Sequence, residues 1–143
     1  MDYNASFQIS ATGMAVEKLR LDVTAANLAN MHSTAASADR LYRPLRVISQ
    51  AAPLDFARQF GELYAVSGGA QLVGVESTMV APRLVHEPGH PHADSKGFVA
   101  YPGVNHTSEM VNLVTALRAY EANVVAMNAA KTMTARALEI GGQ

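Results

Sequence analysis

No cysteine occurs in this chain of 143 residues. That excludes disulfides, thiolate metal sites and a cysteine nucleophile. Charge is scarce as well. Asp, Glu, Lys and Arg make up 16% of the residues, against roughly 25% in an ordinary soluble domain, so something other than Lys and Glu must cover much of the outside. The signs nearly cancel, 11 basic against 12 acidic, for a net charge of −1. This removes any electrostatic case for nucleic acid or an anionic membrane surface. Long apolar runs are missing too. The longest charge-free stretch, residues 23–38, is interrupted by Asn27, Asn30, His32 and Ser33 and is not fit to span a bilayer. The opening MDYNASF has neither the basic start nor the apolar centre of a secretory leader. The expectation is a soluble chain that, if it leaves the cytoplasm, does so without a cleavable leader of that kind.

Proline is absent from both ends, and what is there instead reads as helix. Over residues 3–31 the positions Ile9, Val16, Val23 and Asn30 recur every seven residues, with Thr12, Leu19 and Ala26 three further along. That is a thin a/d seam, on a helix about 40 Å long at the standard rise. Asp2 or Asn4 is suited to cap it. Toward the other end, Met110, Leu113, Leu117, Tyr120, Val124 and Met127 are spaced three and four apart, and nothing between residues 104 and 140 breaks a helix. Asn105 or Thr107 can cap this one, Glu109 suits the positive end of its dipole, and Gly141-Gly142 stops it. After Met127 the apolar set drifts to Ala130, Met133, Ala137 and Ile140.

Between these ends lie all six prolines and seven of the ten glycines. Short β-prone runs at 45–48, 72–75, 82–86 and 98–101 alternate with turn signals such as Ser67-Gly68-Gly69 and the Asp94-to-Gly97 tetrad. Residues 54–64 are compatible with a short helix. The expected fold is mainly α with a β insert: residues 1–35 and 108–143 as two long terminal helices in an antiparallel coiled-coil-like pair, and 36–107 as a small β-rich middle region.

The backs of both helices are built from Ala, Ser, Thr, Asn and Gln. The first carries only Glu17, Lys18, Arg20 and Asp22, and the second six charges over about 35 residues. A solvated coiled coil normally carries Glu and Lys at its flanks. Small neutral residues instead let helices approach on several sides. A compact monomeric bundle covered by the β region is one outcome. An array of copies or relatives fits better, because two helices and a small insert cannot cover all that surface. Ile9, Val16, Leu19, Val23, Asn27 and Asn30 on the first helix, and Met110, Leu113, Leu117, Tyr120, Val124 and Met127 on the second, are the expected subunit-interface residues.

One cluster suggests chemistry. His86, His90 and His92 fall within seven residues, beside Glu87 and Asp94. Metal sites of two or three histidines usually draw them from rigid helices or strands, whereas Pro88, Gly89 and Pro91 separate these along an extended or turning backbone. The plainer expectation is a loop that leaves a strand at His86 and re-enters one at Phe98 through the Asp94-to-Gly97 turn. Glu76 with Ser77, and Glu109 with His106, lack any third catalytic partner. No metal, cofactor or catalytic residue is expected, and a small metal-dependent enzyme built on the histidines is the weaker alternative.

The run LDVTAANLANMHST at 21–34 resembles the amino-terminal signature of bacterial flagellar axial proteins, the rod and hook proteins and their relatives. The stretch HEPGHPHADSKGFVAYPGVN at 86–105, leading into SEMVNLVTALRAYEANVVAMNAAKTM at 108–133, is similar to the proximal-rod members of that family. His90 belongs to the motif, while His86 and His92 stand where the family commonly has tyrosine and aspartate. Residues 35–70 give no comparable match. The resemblance implies a non-enzymatic subunit of the periplasmic rod, exported by the flagellar type III system. It implies terminal helices in an inner coiled-coil layer and the middle region in an outer one. The implied partners are copies of itself and other rod proteins, with motor-ring, export-gate or distal-rod neighbours, and no nucleic acid or small-molecule substrate. Asn27 and Asn30 are then suited to fix register by pairing amides across helices, as a buried Asn does in coiled coils.

Overall fold

The computed structural model of the chain describes residues 3–52 and 68–141, with side chains described from Ala5 onward. Helix α1 runs Tyr3–Asn30, a single 3-10 turn covers Ala38–Arg40, strands β1 (Leu45–Ala51), β2 (Ala70–Ser77), β3 (Arg83–His86) and β4 (Phe98–Tyr101) follow, and helix α2 runs His106–Gly141. The plan of two long terminal helices, packed together, around a small β middle is the observed one. The short helix expected at 54–64 and the cap expected from Asp2 or Asn4 fall outside the described residues or side chains.

The helix ends follow from local chemistry. Asn105 opens α2: its Oδ1 accepts the Ser108 N–H at 3.0 Å and its carbonyl accepts the Glu109 N–H, two of the donors a helix start leaves without partners. At the end of α1, Asn30 turns its Nδ2 back onto the Ala26 carbonyl, while its own carbonyl accepts both the N–H and the hydroxyl of Ser33. The chain leaves the helix there.

The strands form two separate ribbons, β1 with β2 and β3 with β4. The Ala52 N–H donates to the Gly69 carbonyl and the Thr78 N–H to the Pro44 carbonyl, so β1 and β2 run antiparallel. In the second ribbon Arg83 faces Tyr101, Leu84 faces Ala100, Val85 faces Val99 and His86 faces Phe98. Val99 is fully buried and Pro102 follows it inside.

Two compact units emerge, and each draws on both terminal segments and the middle. One comprises residues 1–19, 48–74 and 115–143, the other 20–47 and 75–114. In the first, Gly13 of α1 lies against Asn123 of α2, so close that a Cβ on Gly13 would stand 2.9 Å from the Asn123 amide. In the second, Asn27 of α1 is bonded to Glu109 of α2. Residue numbers climb on one helix as they fall on the other, which makes the pair antiparallel. Among the described residues no helix is long and apolar enough to cross a membrane.

Candidate assembly interface

Asn27 is 2% exposed, and its side chain is a hub. Its Nδ2 donates to the Leu45 carbonyl at 2.9 Å and to Glu109 Oε2 at 3.2 Å. Its Oδ1 accepts from the Leu45 N–H at 2.8 Å and from the Tyr42 hydroxyl at 2.9 Å. A carboxamide has two hydrogens and two acceptor lone pairs, and all are used within one chain. The hub thereby ties α1 to the head of β1 and to the first turn of α2. Burial first, and then the neighbouring Glu109 carboxylate, push the Tyr42 hydroxyl above its ordinary pKa, so it stays protonated and keeps donating. The amide pairing between helices of neighbouring subunits expected for Asn27 has no free valence to use. Asn30 likewise spends its Nδ2 on its own helix.

The other sequence-selected residues divide by exposure. Val16 and Val23 are buried, Leu19 and Asn30 are half-buried, and Ile9 is exposed. On α2, Leu113, Tyr120, Val124 and Met127 are half-buried, whereas Met110 and Leu117 are exposed. The covered face of this helix instead follows Glu109, Leu113, Ala116, Tyr120, Asn123, Met127, Ala130 and Thr134, a spacing of four and three throughout. It shares Leu113, Tyr120 and Met127 with the hydrophobic seam but is shifted onto smaller residues, and Ala116 and Ala130 are its two buried members. The larger side chains Met110, Val111, Val114, Leu117 and Val125 form a second apolar stripe, and it is exposed. Sequence reading placed Ala130 in the drifting apolar set but missed Ala116, and it missed Tyr42 and Glu109 as partners of Asn27. The only signal for Tyr42 is its Tyr-Arg-Pro setting, before a strand whose first residue is Leu45.

The histidines join a loop, each with its own partner. His86 stacks edge-on against Phe98 with ring centres 5.1 Å apart. His90 Nδ1 accepts the His92 backbone N–H at 3.0 Å, and His92 Nδ1 lies 3.0 Å from the Thr34 hydroxyl oxygen. The turn expected at 94–97 is present. Asp94 accepts the backbone N–H groups of Lys96 and Phe98, each at 2.8 Å, and Gly97 adopts φ 79°, the left-handed region that favours glycine. The bond from the Phe98 N–H, more than any other cause, holds the Asp94 carboxyl below its usual range. In the same ribbon the Tyr101 hydroxyl donates to Glu87, and Arg83 lies over the Tyr101 ring. Burial and then the Glu87 bond raise the Tyr101 pKa. Glu109, weighed above as half of an acid/base pair, accepts from Asn27 and Asn112.

Comparison with known proteins agrees with this architecture. Residues 95–140 match the family described as flagellar basal body rod FlgEFG protein C-terminal. Over 145 residues the chain is 37% identical to the flagellar basal-body rod protein FlgC of Bacillus subtilis, covering 95% of this chain and 96% of that one. It is 36% identical over 137 residues to the protein of the same name from Escherichia coli O6:H1, covering 94% and 95%. The corresponding Borreliella burgdorferi protein is 30% identical over 152 residues, covering 95% of each. A helix pair with a β insert and this degree of likeness define a flagellar basal-body rod protein. Within that class the chain belongs to the FlgC family.

Proposed function

We propose that this chain is a structural subunit of the flagellar rod and does no chemistry of its own. It assembles with other rod proteins and with copies of itself into a helical tube, the terminal helices inside and the middle region outside, and the tube carries torque from motor to hook. The tube stands in the periplasm, and its subunits travel there through the flagellar export apparatus. Motor-ring or export-gate components and the distal rod are its neighbours along the axis.

The observation that carries this reading is the second apolar stripe of α2. Sixteen large apolar side chains are exposed among the described residues, whereas Pro102 and five small apolar residues, Val and Ala, are buried. A helix that is apolar on two sides is built to be covered on two sides, and α1 covers one. Fully burying a Val or Leu contributes about 1.5–3 kcal/mol, so a neighbour laid along Met110, Val114 and Leu117 gains several such terms. A contact of this sort between unlike surfaces does not close on itself and propagates as a helix. Ile9, Met110 and Leu117 face neighbours directly in this reading. The half-buried seam residues Leu19, Asn30, Leu113, Tyr120, Val124 and Met127 share their surface between chain and neighbour. Val16, Val23 and Asn27 serve the interface from within, by fixing how α1 lies on α2.

The test is the double substitution Val114→Glu, Leu117→Glu. Both side chains are exposed, so the purified protein should melt within about 0.5 kcal/mol of wild type. Cells carrying it as their only copy should fail to build rods and to swim. Normal swimming would remove the stripe as an assembly surface.

A further inference from the structure

The exposed stripe of α2 needs an occupant, and the outer row of α1 has the matching period. Along α2, Met110, Val114, Leu117, Glu121 and Asn128 are exposed and Val124 is half-buried, at alternating intervals of four and three. Along α1, Ala11, Ala15, Lys18, Asp22, Ala25 and Ala29 are all exposed, at the same alternating intervals. Two rows that share a heptad period lie along each other without drifting apart. One row is mostly large and apolar and the other mostly methyl groups, so the first fills the space that the second leaves.

Charge selects the direction and the register. Lys18 and Asp22 are the two charges of the α1 row, and Arg118 and Glu121 form an exposed pair 3.5 Å apart on α2. Laid antiparallel with Lys18 opposite Glu121, the rows bring Asp22 next to Arg118. Ala15 then faces Val124, Ala25 faces Val114 and Ala29 faces Met110. A slip of one heptad sets Lys18 against Val114 or Asn128 and loses both charge pairs. Laid parallel with Lys18 opposite Glu121, the rows set Asp22 against Val125 and Arg118 against Ala15. Only the antiparallel register satisfies all four charges.

We propose that the α2 stripe of one copy is covered by the outer row of α1 from a second copy of this chain, antiparallel and in that register. This rests on the stripe being an assembly surface, and names its occupant. Within one chain α1 and α2 are antiparallel, so a copy standing alongside in the same direction offers its α1 antiparallel to this α2. The two registers differ. With Gly13 against Asn123, Lys18 stands level with Arg118 of its own chain, but with Glu121 of the neighbour. Three residues of helix span about 4.5 Å, so the second copy is displaced along the helix direction by about that much. A two-fold axis along the helices allows no such offset, and one across them reverses the direction. The contact therefore stays open, and its repetition climbs as a helix.

The chain has no cysteine of its own, so introduced thiols test this. Cells express two full-length versions as their only copies, one with Ala25→Cys and one with Val114→Cys. After oxidation the bridged peptides are identified by mass spectrometry. Neither version holds both thiols, so a bridge joins two copies, and it forms only where the Cα atoms come within about 7 Å. Ala25→Cys with Val114→Cys should bridge, and so should Ala29→Cys with Met110→Cys. Ala25→Cys with Val125→Cys is about 16 Å out of register and should give at least about tenfold less. Lys18→Glu in both versions should cut the in-register yield about tenfold, and adding Glu121→Lys should restore it. Equal yields in and out of register overturn the proposal, as does a charge swap that restores nothing. If no bridge forms and the Val114→Glu, Leu117→Glu cells do not swim, the stripe is an assembly surface with a different occupant. If those cells swim normally, the assembly surface itself falls.

Discussion

The two compact units hold their helices by different means. In the unit of residues 20–47 and 75–114, the joint between α1 and α2 is polar and saturated: one carboxamide with every valence engaged, at the meeting point of three elements. In the unit of residues 1–19, 48–74 and 115–143 the joint is made by absence. Gly13 has no side chain where Asn123 sits, and Gly69, at φ 135°, leaves room for Thr12. The Thr12 hydroxyl then donates to the Ile9 carbonyl at 2.8 Å and accepts the Ala70 N–H at 3.2 Å, linking α1 to the start of β2. A saturated buried network fails as a whole when one member goes. Close packing around small residues degrades by degrees with added volume.

The sharpest way to break that contrast is Asn27→Leu. The Tyr42 hydroxyl and both polar groups of the Leu45 backbone lose their partner in a buried site, each loss costing about 1–3 kcal/mol. A total of about 3–5 kcal/mol is expected in urea unfolding. A loss below about 1 kcal/mol would mean that water replaces the amide and that the hub is not what holds this unit. The same substitution paired with Asn30→Leu is thus expected to weaken the chain itself, rather than to leave it folded and misassembled.

How the hub appears in the sequence shows what reading a sequence can reach. Asn27 stands out there as part of the AAN-LAN element, but its role does not, because its partners lie 18 and 82 residues away. No local pattern encodes such a meeting. Helix extents were legible to within about five residues, since proline-free stretches and the Asn105 cap act locally. The four strands were legible from β-branched runs between turns. The pairing of β1 with β2 was not, since that rests on contacts across the middle region. The covered face of α2 was read half right for a definite reason. Hydrophobicity marks Met110 and Leu117 as strongly as Leu113, and periodicity cannot say which of two apolar stripes the partner helix takes. The buried members, Ala116 and Ala130, lie on the stripe with the smaller residues.

A graded response is expected from the other unit. Gly13→Leu forces a branched side chain into the space of the Asn123 amide and should cost about 1–3 kcal/mol by thermal melting. Gly13→Ala meets only the end of a movable side chain, and alanine is better than glycine in a helix by about 1 kcal/mol. The two effects should roughly cancel. A Gly13→Ala protein as damaged as Gly13→Leu would show the joint to be all-or-none after all.

The smallest effect belongs to Asp94. Its folded pKa lies below the usual 3.8, so its contribution is fully present above that value and is lost as pH falls through the lowered one. Protection of the Lys96 and Phe98 amides should therefore persist at neutral pH and collapse only in strong acid. In Asp94→Ala it should be missing throughout. Collapse near neutrality in wild type would mean that the carboxylate is not the clamp.

The antiparallel pairing of the two ends also has a consequence in time. Gly13 meets residue 123 and Asn27 meets residue 109, so α1 lacks its helical partner until the last quarter of the chain is present. Closing a loop of 82 residues carries a length-dependent entropic cost of about 4 kcal/mol before any contact offsets it, and pairings so distant in sequence form slowly. A chain delivered from its amino terminus thus keeps its first helix waiting while the β region can already pair locally. High contact order sets the sequence of events: ribbons first, helix pair last.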